Sequence, residues 1–136
     1  KERNSLEEEF ALLRNYLEVL TIRMGARLKY ELTLPDTLAA AQVPPMLLQP
    51  LVENAVKHGL EPKIEGGAVK VSAHEERGRL VLEVADTGLG EHGSGGSGVG
   101  LANLRERLAA AFGGLAQVRA GANPAGGYTV TLSLPR

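Results

Sequence analysis

LVENAVKHGL, residues 51–60, reads as a helix with two unlike sides: Glu53, Asn54, Lys57 and His58 on one, Leu51, Val52, Ala55 and Val56 on the other. Side chains three and four apart on a helix are neighbours. That spacing puts Asn54 beside Lys57 and His58, and Glu53 beside Lys57. An amide or carboxylate oxygen can help hold Mg²⁺, which keeps several waters and takes phosphate oxygens at its other positions. A lysine one turn on can meet a phosphate as a point charge. The apolar side needs a surface to pack on, and the rest of the chain has to supply it.

Upstream, Pro44 and Pro45 precede this helix and Pro50 falls within its pattern. Proline is welcome in a first helical turn and kinks an interior one. The helix therefore either starts near Pro50 or bends there, and Gly59 is expected to end it. Downstream, Val69, Val71 and Ala73 alternate with polar residues. After a turn at residues 76–78, Leu80, Leu82 and Val84 alternate with Val81, Glu83 and Ala85. This is a β-hairpin with one buried face. The period of two puts Asp86 on that buried face. A carboxylate there needs a partner, either a ligand's amino group or the backbone of the turn it begins.

Asp86 opens DTGLGEHGSGGSGVG, in which seven of fifteen residues are glycine. Such a backbone bends cheaply and can approach a ligand closely. A helix is expected over residues 101–112, with Leu101, Leu104, Leu108 and Ala111 as its stripe and Gly113-Gly114 as its end. A glycine loop feeding a helix N-terminus points amides at an anion. Gly93, Gly95 and Gly98 meet the dinucleotide spacing GxGxxG, but they do not sit on a strand end and no acidic residue follows at the required distance. The last stretch gives strands at 116–120 and 128–134, joined by a turn containing Asn123-Pro124.

Ser5 and Glu8 have capping-box spacing and start an N-terminal helix. Leu6, Phe10, Leu13, Leu17, Leu20 and Met24 form an a/d stripe along it, and Gly25 closes it. The stripe suits either another helix, across a dimer, or the sheet of its own domain. Leu28, Tyr30, Leu32 and Leu34 then read as a strand ending at Pro35. Five strands and three helices, with hairpins and no regular βαβ alternation, give an α+β class: a two-layer sandwich with helices on one face of a mixed sheet.

The chain's 136 residues suit one domain with a real core. A net charge of −1 gives no electrostatic argument for nucleic acid or an acidic membrane. The absence of cysteine excludes disulfides and thiolate zinc sites. No apolar run is long enough to span a bilayer. The first residue is not methionine, so the sequence is expected to be a piece of a longer protein.

In order, the ENAxKH helix, the DxGxG turn, the GxGxGLxN loop-helix and the closing glycine-plus-strand resemble the ATP-binding domain of sensor histidine kinases. That domain belongs to the GHKL group shared with gyrase, Hsp90 and MutL, whose sandwich is the Bergerat fold. VPPMLLQPLVENAVKHG, with EEFALLRNYLEVLTIRMG before it, resembles the LytS/YehU-type subfamily. The resemblance covers nearly the whole chain from about Leu6.

The resemblance implies ATP and Mg²⁺ as cofactors. It implies Asn54 as the Mg²⁺ ligand, flanked by Glu53 and Lys57, with Lys57 nearest the phosphates and His58 in the same nucleotide-binding helix as a polar neighbour of Asn54. Asp86 would accept the exocyclic amine of adenine, with Gly88 and Gly90 letting the ring approach. Gly96, Gly98 and Gly100 would wrap the phosphates, with Leu101 and Asn103 near them, and residues 89–97 would form a lid. Thr87 stands where the family has asparagine. Tyr128 stands where it has threonine, so either that hydroxyl is missing or Thr129 serves in a shifted register. Residues 1–26 would be the tail of a dimerisation region and 27–136 the catalytic domain.

The implied reaction is transfer of the γ-phosphoryl of ATP to a histidine, then to an aspartate of a response regulator. The subfamily's acceptor histidine lies in an HFLFN-like segment that this sequence does not contain. None of His58, His74 and His92 stands in such a setting. The implied partners are the protein's own phosphoacceptor domain and the response regulator, in a cytoplasmic, homodimeric kinase, with no nucleic acid and no direct membrane contact by this piece. Two other readings keep the nucleotide: a serine kinase of the anti-sigma type, and a nucleotide-binding module without transfer.

Overall fold

Each of the alternating segments becomes a strand of one sheet. A computed structural model describes residues 3–88 and 94–136, the side chains of 94–100 excepted. In chain order the elements are β1 (Asn4–Ser5), α1 (Leu6–Met24), β2 (Leu28–Thr33), β3 (Gln42–Val43) and α2 (Gln49–Asn54), then β4 (Gly67–Glu76), β5 (Arg79–Asp86), α3 (Ser94–Phe112), β6 (Gln117–Ala122) and β7 (Tyr128–Pro135). The main sheet runs β2-β4-β5-β7-β6, while β1 and β3 make a separate short ribbon. β2 lies parallel to β4 and every other pair is antiparallel, so the sheet is mixed. A parallel pair needs a crossover, and the segment carrying α2 supplies it.

The inward row Val69, Val71, Leu80, Leu82, Val84, Leu132 and Leu134 is buried, and it joins Leu13, Leu17, Val52, Val56, Leu104 and Leu108 from the helices in one core. Each such side chain contributes about 1.5–3 kcal/mol when taken out of water. The outward row between them is mostly polar, with Lys70, Ser72, Glu83, Thr131 and Ser133, although Val81 of that row is also buried.

α1 carries the expected capping box: the Glu8 amide donates to Ser5 Oγ at 3.1 Å and the Ser5 amide to Glu8 Oε1 at 2.8 Å. Gly25 ends it at φ 60°. Its a/d stripe is used within the domain, with Leu6, Leu13 and Leu17 fully buried. Its first turn is also stitched to the chain beyond β2, where the Leu6 amide bonds Ala41 O at 2.8 Å and the Glu7 amide bonds Ala39 O at 2.9 Å.

Pro50 sits in the first turn of α2, so the helix starts there rather than kinking. Gly59 does not end it. The backbone continues as a π-helical turn, Ala55–Leu60, and the Glu61 amide bonds Val56 O at 2.8 Å. The backbone at Gly59 instead forces residue 88 to be glycine. A Cβ built on Gly88 would lie 2.1 Å from Gly59 O, so the two backbones touch.

The end of the π turn is closed by the 3₁₀ segment after α1. The Arg27 guanidinium donates to Glu61 O at 2.9 Å, Lys63 O at 2.8 Å and Ile64 O at 3.1 Å. A cation there meets both the orphan carbonyls and the negative end of the helix dipole. Arg27→Ala is expected to lower stability by about 1.5–3 kcal/mol. Urea unfolding should show a lower midpoint at unchanged slope.

α3 begins at Ser94, earlier than the expected Leu101, and takes in Gly95, Gly96, Gly98 and Gly100. Each glycine costs a helix about 1 kcal/mol relative to alanine, a penalty that weakens a helix without forbidding it. Of the expected lid, residues 89–93 lie outside the described residues. Among the described residues no helix is long and apolar enough to cross a membrane.

Candidate functional site

The C-terminal end of β5, one side of α2 and the middle of α3 enclose a cavity of about 300 Å³. Its walls are mostly apolar: Leu47, Leu51, Ala55, Val84, Leu104 and Val130. Its polar groups are Asn54, Asp86, Asn103, Arg107 and Tyr128. An apolar slot with a few convergent polar groups, at the lower end of the ligand-pocket size range, is the usual form of a small-molecule site.

Asn54 lies on α2 one turn after Pro50, and both face the cavity. Its side chain is half-buried and makes no hydrogen bond among the described residues. Buried polar groups are normally satisfied within the fold, so an amide held toward a cavity is available to a ligand.

Asp86 is 3% exposed at the end of β5. Its Oδ1 accepts the Gly88 amide at 2.8 Å, so the turn-capping role is present as well as the cavity-facing one. Thr87 stitches the strand end to β4. Its Oγ1 accepts the Ala68 amide at 2.9 Å, its own amide bonds Ala68 O at 3.0 Å, and its carbonyl receives Lys63 Nζ at 3.0 Å. From the other side Gly127 presses on the Asp86 carbonyl, where a Cβ would lie 1.8 Å from the oxygen.

The remaining expected residues divide. Leu101 and Asn103 line the cavity. Glu53, Lys57 and His58 do not line it among the described residues, contrary to the single polar face expected of them. Glu53 accepts Gln49 Nε2 at 3.1 Å and faces α1. There Tyr16 has its pKa raised, first by burial and then by the carboxylates of Glu53 and Glu61, with Arg23 acting the other way. Lys57 and His58 lie in the π turn, whose wider winding carries them off the line of Asn54. Thr129 is on the sheet's other face: its hydroxyl donates to Asn123 Oδ1 at 2.7 Å, and Tyr128 takes the cavity side. Gly88 is occupied by its contact with Gly59. Gly90 lies outside the described residues, and Gly96, Gly98 and Gly100 lie in the first turns of α3.

Two polar residues of the cavity wall were not expected. Tyr128 follows from the alternation once Val130 is known to point inward. Arg107 stands one helical turn after Asn103, so the same α3 face carries both. Its guanidinium donates to Pro45 O at 2.6 Å and Met46 O at 3.2 Å.

The family model for histidine kinase-, DNA gyrase B- and HSP90-like ATPases matches residues 44–136, more than half of the chain. The chain belongs to this family. It is therefore an ATP-binding domain of the kind sensor histidine kinases carry. Sensor histidine kinase YesM of Bacillus subtilis is 32% identical over 136 residues, covering 96% of this chain and 24% of YesM. Sensor histidine kinase BtsS of Escherichia coli K12 is 33% identical over 132 residues, covering 96% of this chain and 24% of BtsS. The chain thus spans about a quarter of the length of these relatives. The nucleotide-free catalytic domain of histidine kinase ThkA superposes with a TM-score of 0.71 at 14% identity, over 98% of this chain and 95% of that one, which shows the shared fold.

Proposed function

We propose that this domain is the catalytic unit of a sensor histidine kinase: it binds Mg·ATP and presents the γ-phosphoryl to a histidine in a dimerisation region elsewhere in the full-length protein. The observation that carries this is the cavity itself, which brings an uncommitted amide at Asn54 and a buried carboxylate at Asp86 onto one apolar slot. Asp86 would accept the exocyclic amine of adenine, and the ring would lie among Val84, Ala55 and Val130. The triphosphate would run toward Asn54, Asn103 and the start of α3, with Arg107 as the cation in the wall.

The donor set suits magnesium. Among the described residues no group of three or more His, Asp or Glu could cage a metal. A single amide oxygen fits an ion held chiefly by phosphates and water, and bound Mg²⁺ would neutralise phosphate charge. The work of the chain's own residues is positioning, which is most of phosphoryl-transfer catalysis. None of them serves as a general base in this proposal.

In the same reading residues 1–26 close the dimerisation region and 27–136 form the catalytic unit. The full protein would be a cytoplasmic-facing homodimer that passes phosphate on to a response-regulator aspartate. The names of YesM and BtsS support it. The test is to mix the chain with a separately produced histidine-bearing dimerisation domain and γ-labelled ATP. An acid-labile, base-stable product on that domain is expected. An acid-stable product would point to a serine kinase, and no product to a module that binds without transfer.

A further inference from the structure

The turn at residues 45–47 joins the cavity to the N-terminal helix. Met46 sits at φ 58°, a left-handed conformation that non-glycine residues rarely hold. Its side chain is 42% exposed, so burial does not hold it there. Hydrogen bonds from two sides do. Glu9 of α1, 2% exposed, accepts the Met46 amide at 2.9 Å on Oε2 and the Leu47 amide at 3.0 Å on Oε1. Asn4 Nδ2 adds a bond to Oε2 at 2.8 Å. Arg107 of α3 takes the carbonyls of Pro45 and Met46. Leu47, the last residue of the turn, and Arg107 both line the cavity. The N-terminal segment also reaches α3 directly, since Arg3 lies over the Phe112 ring at 5.1 Å.

A buried carboxylate is a poor device for stability alone, because desolvation offsets much of what its bonds return. A strained turn over-determined by its surroundings is a recurrent feature of functional sites. We propose that Glu9 is a positioning residue for the nucleotide cavity: it holds the 45–47 turn in register with Arg107, so that a displacement of α1 changes nucleotide affinity. The coupling is reciprocal, so nucleotide bound against Arg107 changes how firmly α1 is held. This rests on the nucleotide reading proposed above.

The test measures Mg·ATP affinity of the chain by calorimetry at 10 °C. The variants are Glu9→Ala, Glu9→Gln and a control, Leu134→Ala, in the core away from the cavity. Glu9→Ala leaves both amides without their acceptor, and affinity is expected to fall about tenfold, the scale of a small misplacement at a site. Glu9→Gln keeps one acceptor oxygen and should fall less. Should Glu9→Ala fail to fold, Glu9→Gln against wild type carries the test alone. Leu134→Ala should lose melting temperature yet keep wild-type affinity. Unchanged affinity in the folded Glu9 variants, or an equal loss in Leu134→Ala, overturns the inference and leaves the nucleotide reading standing. A wild-type chain that binds no Mg·ATP overturns both.

Discussion

Asn54→Ala is expected to abolish magnesium-dependent ATP binding while the melting temperature stays near that of wild type. The two halves of this result have separate causes. The amide makes no hydrogen bond among the described residues, so its removal orphans no partner inside the fold. Alanine is also the better helix former at that position. Stability should therefore move by no more than about 0.5 kcal/mol. The ligand side loses the cavity's one α2 oxygen suited to the metal, and even groups that only support a metal ligand cost 10–100-fold, so a loss of about a hundredfold or more is expected. Titration calorimetry with Mg·ATP and with ATP in EDTA separates the metal-dependent part. Equal Mg·ATP affinity in wild type and variant would remove Asn54 from the site.

Gly127→Ala is expected to have the largest effect on the fold. Gly127 lies at φ 96°, and an added Cβ would sit 1.8 Å from the Asp86 carbonyl oxygen and 2.9 Å from Thr87 Cα. Both obstacles are backbone, so no side chain can swing aside. The strained conformation alone costs about 1–2 kcal/mol. With the clash the loss should reach about 4 kcal/mol, in the exceptional range for one substitution. Thermal unfolding should then drop by about 10 °C or more. A contrasting variant at Gly126 isolates the clash: its φ of 107° is as strained, but nothing lies within 4 Å of its added Cβ. Gly126→Ala should therefore lose less. If both variants melt together, the contact with Asp86 is not what requires glycine at 127.

Much of this architecture was readable before any coordinates. The strands could be read because Val69, Val71, Leu132 and Leu134 alternate with polar residues, and Leu80, Leu82 and Val84 keep the same period of two. The capping box at Ser5 and Glu8 is a purely local device and was read correctly for that reason. Asn54 and Asp86 were legible because each follows from one period, the helical turn for one and the strand alternation for the other. What escaped depends on contacts between distant segments. The π turn at Ala55–Leu60 has no sequence signature, so Lys57 and His58 were placed by α-helical spacing. Gly59 looked like a helix stop because its true neighbour, Gly88, is far away in sequence. Thr129 was named for its hydroxyl, although alternation from Val130 already put Tyr128 on the cavity side. Arg107 was passed over because its hydrogen bonds go to carbonyls of Pro45 and Met46, which only the fold brings near.

The sheet is open at both borders, with β2 at one side and β6 at the other. Each border strand offers a row of main-chain groups onto which another polypeptide could zip, the route by which sheets grow into fibrils. Here those borders are short, at six residues each, and they are armed: Lys29 and Glu31 project from the first, Gln117 and Arg119 from the second, all exposed. Substituting these polar side chains with valine would leave the nucleotide cavity alone. It would leave both flanks open to pairing with other copies of the chain.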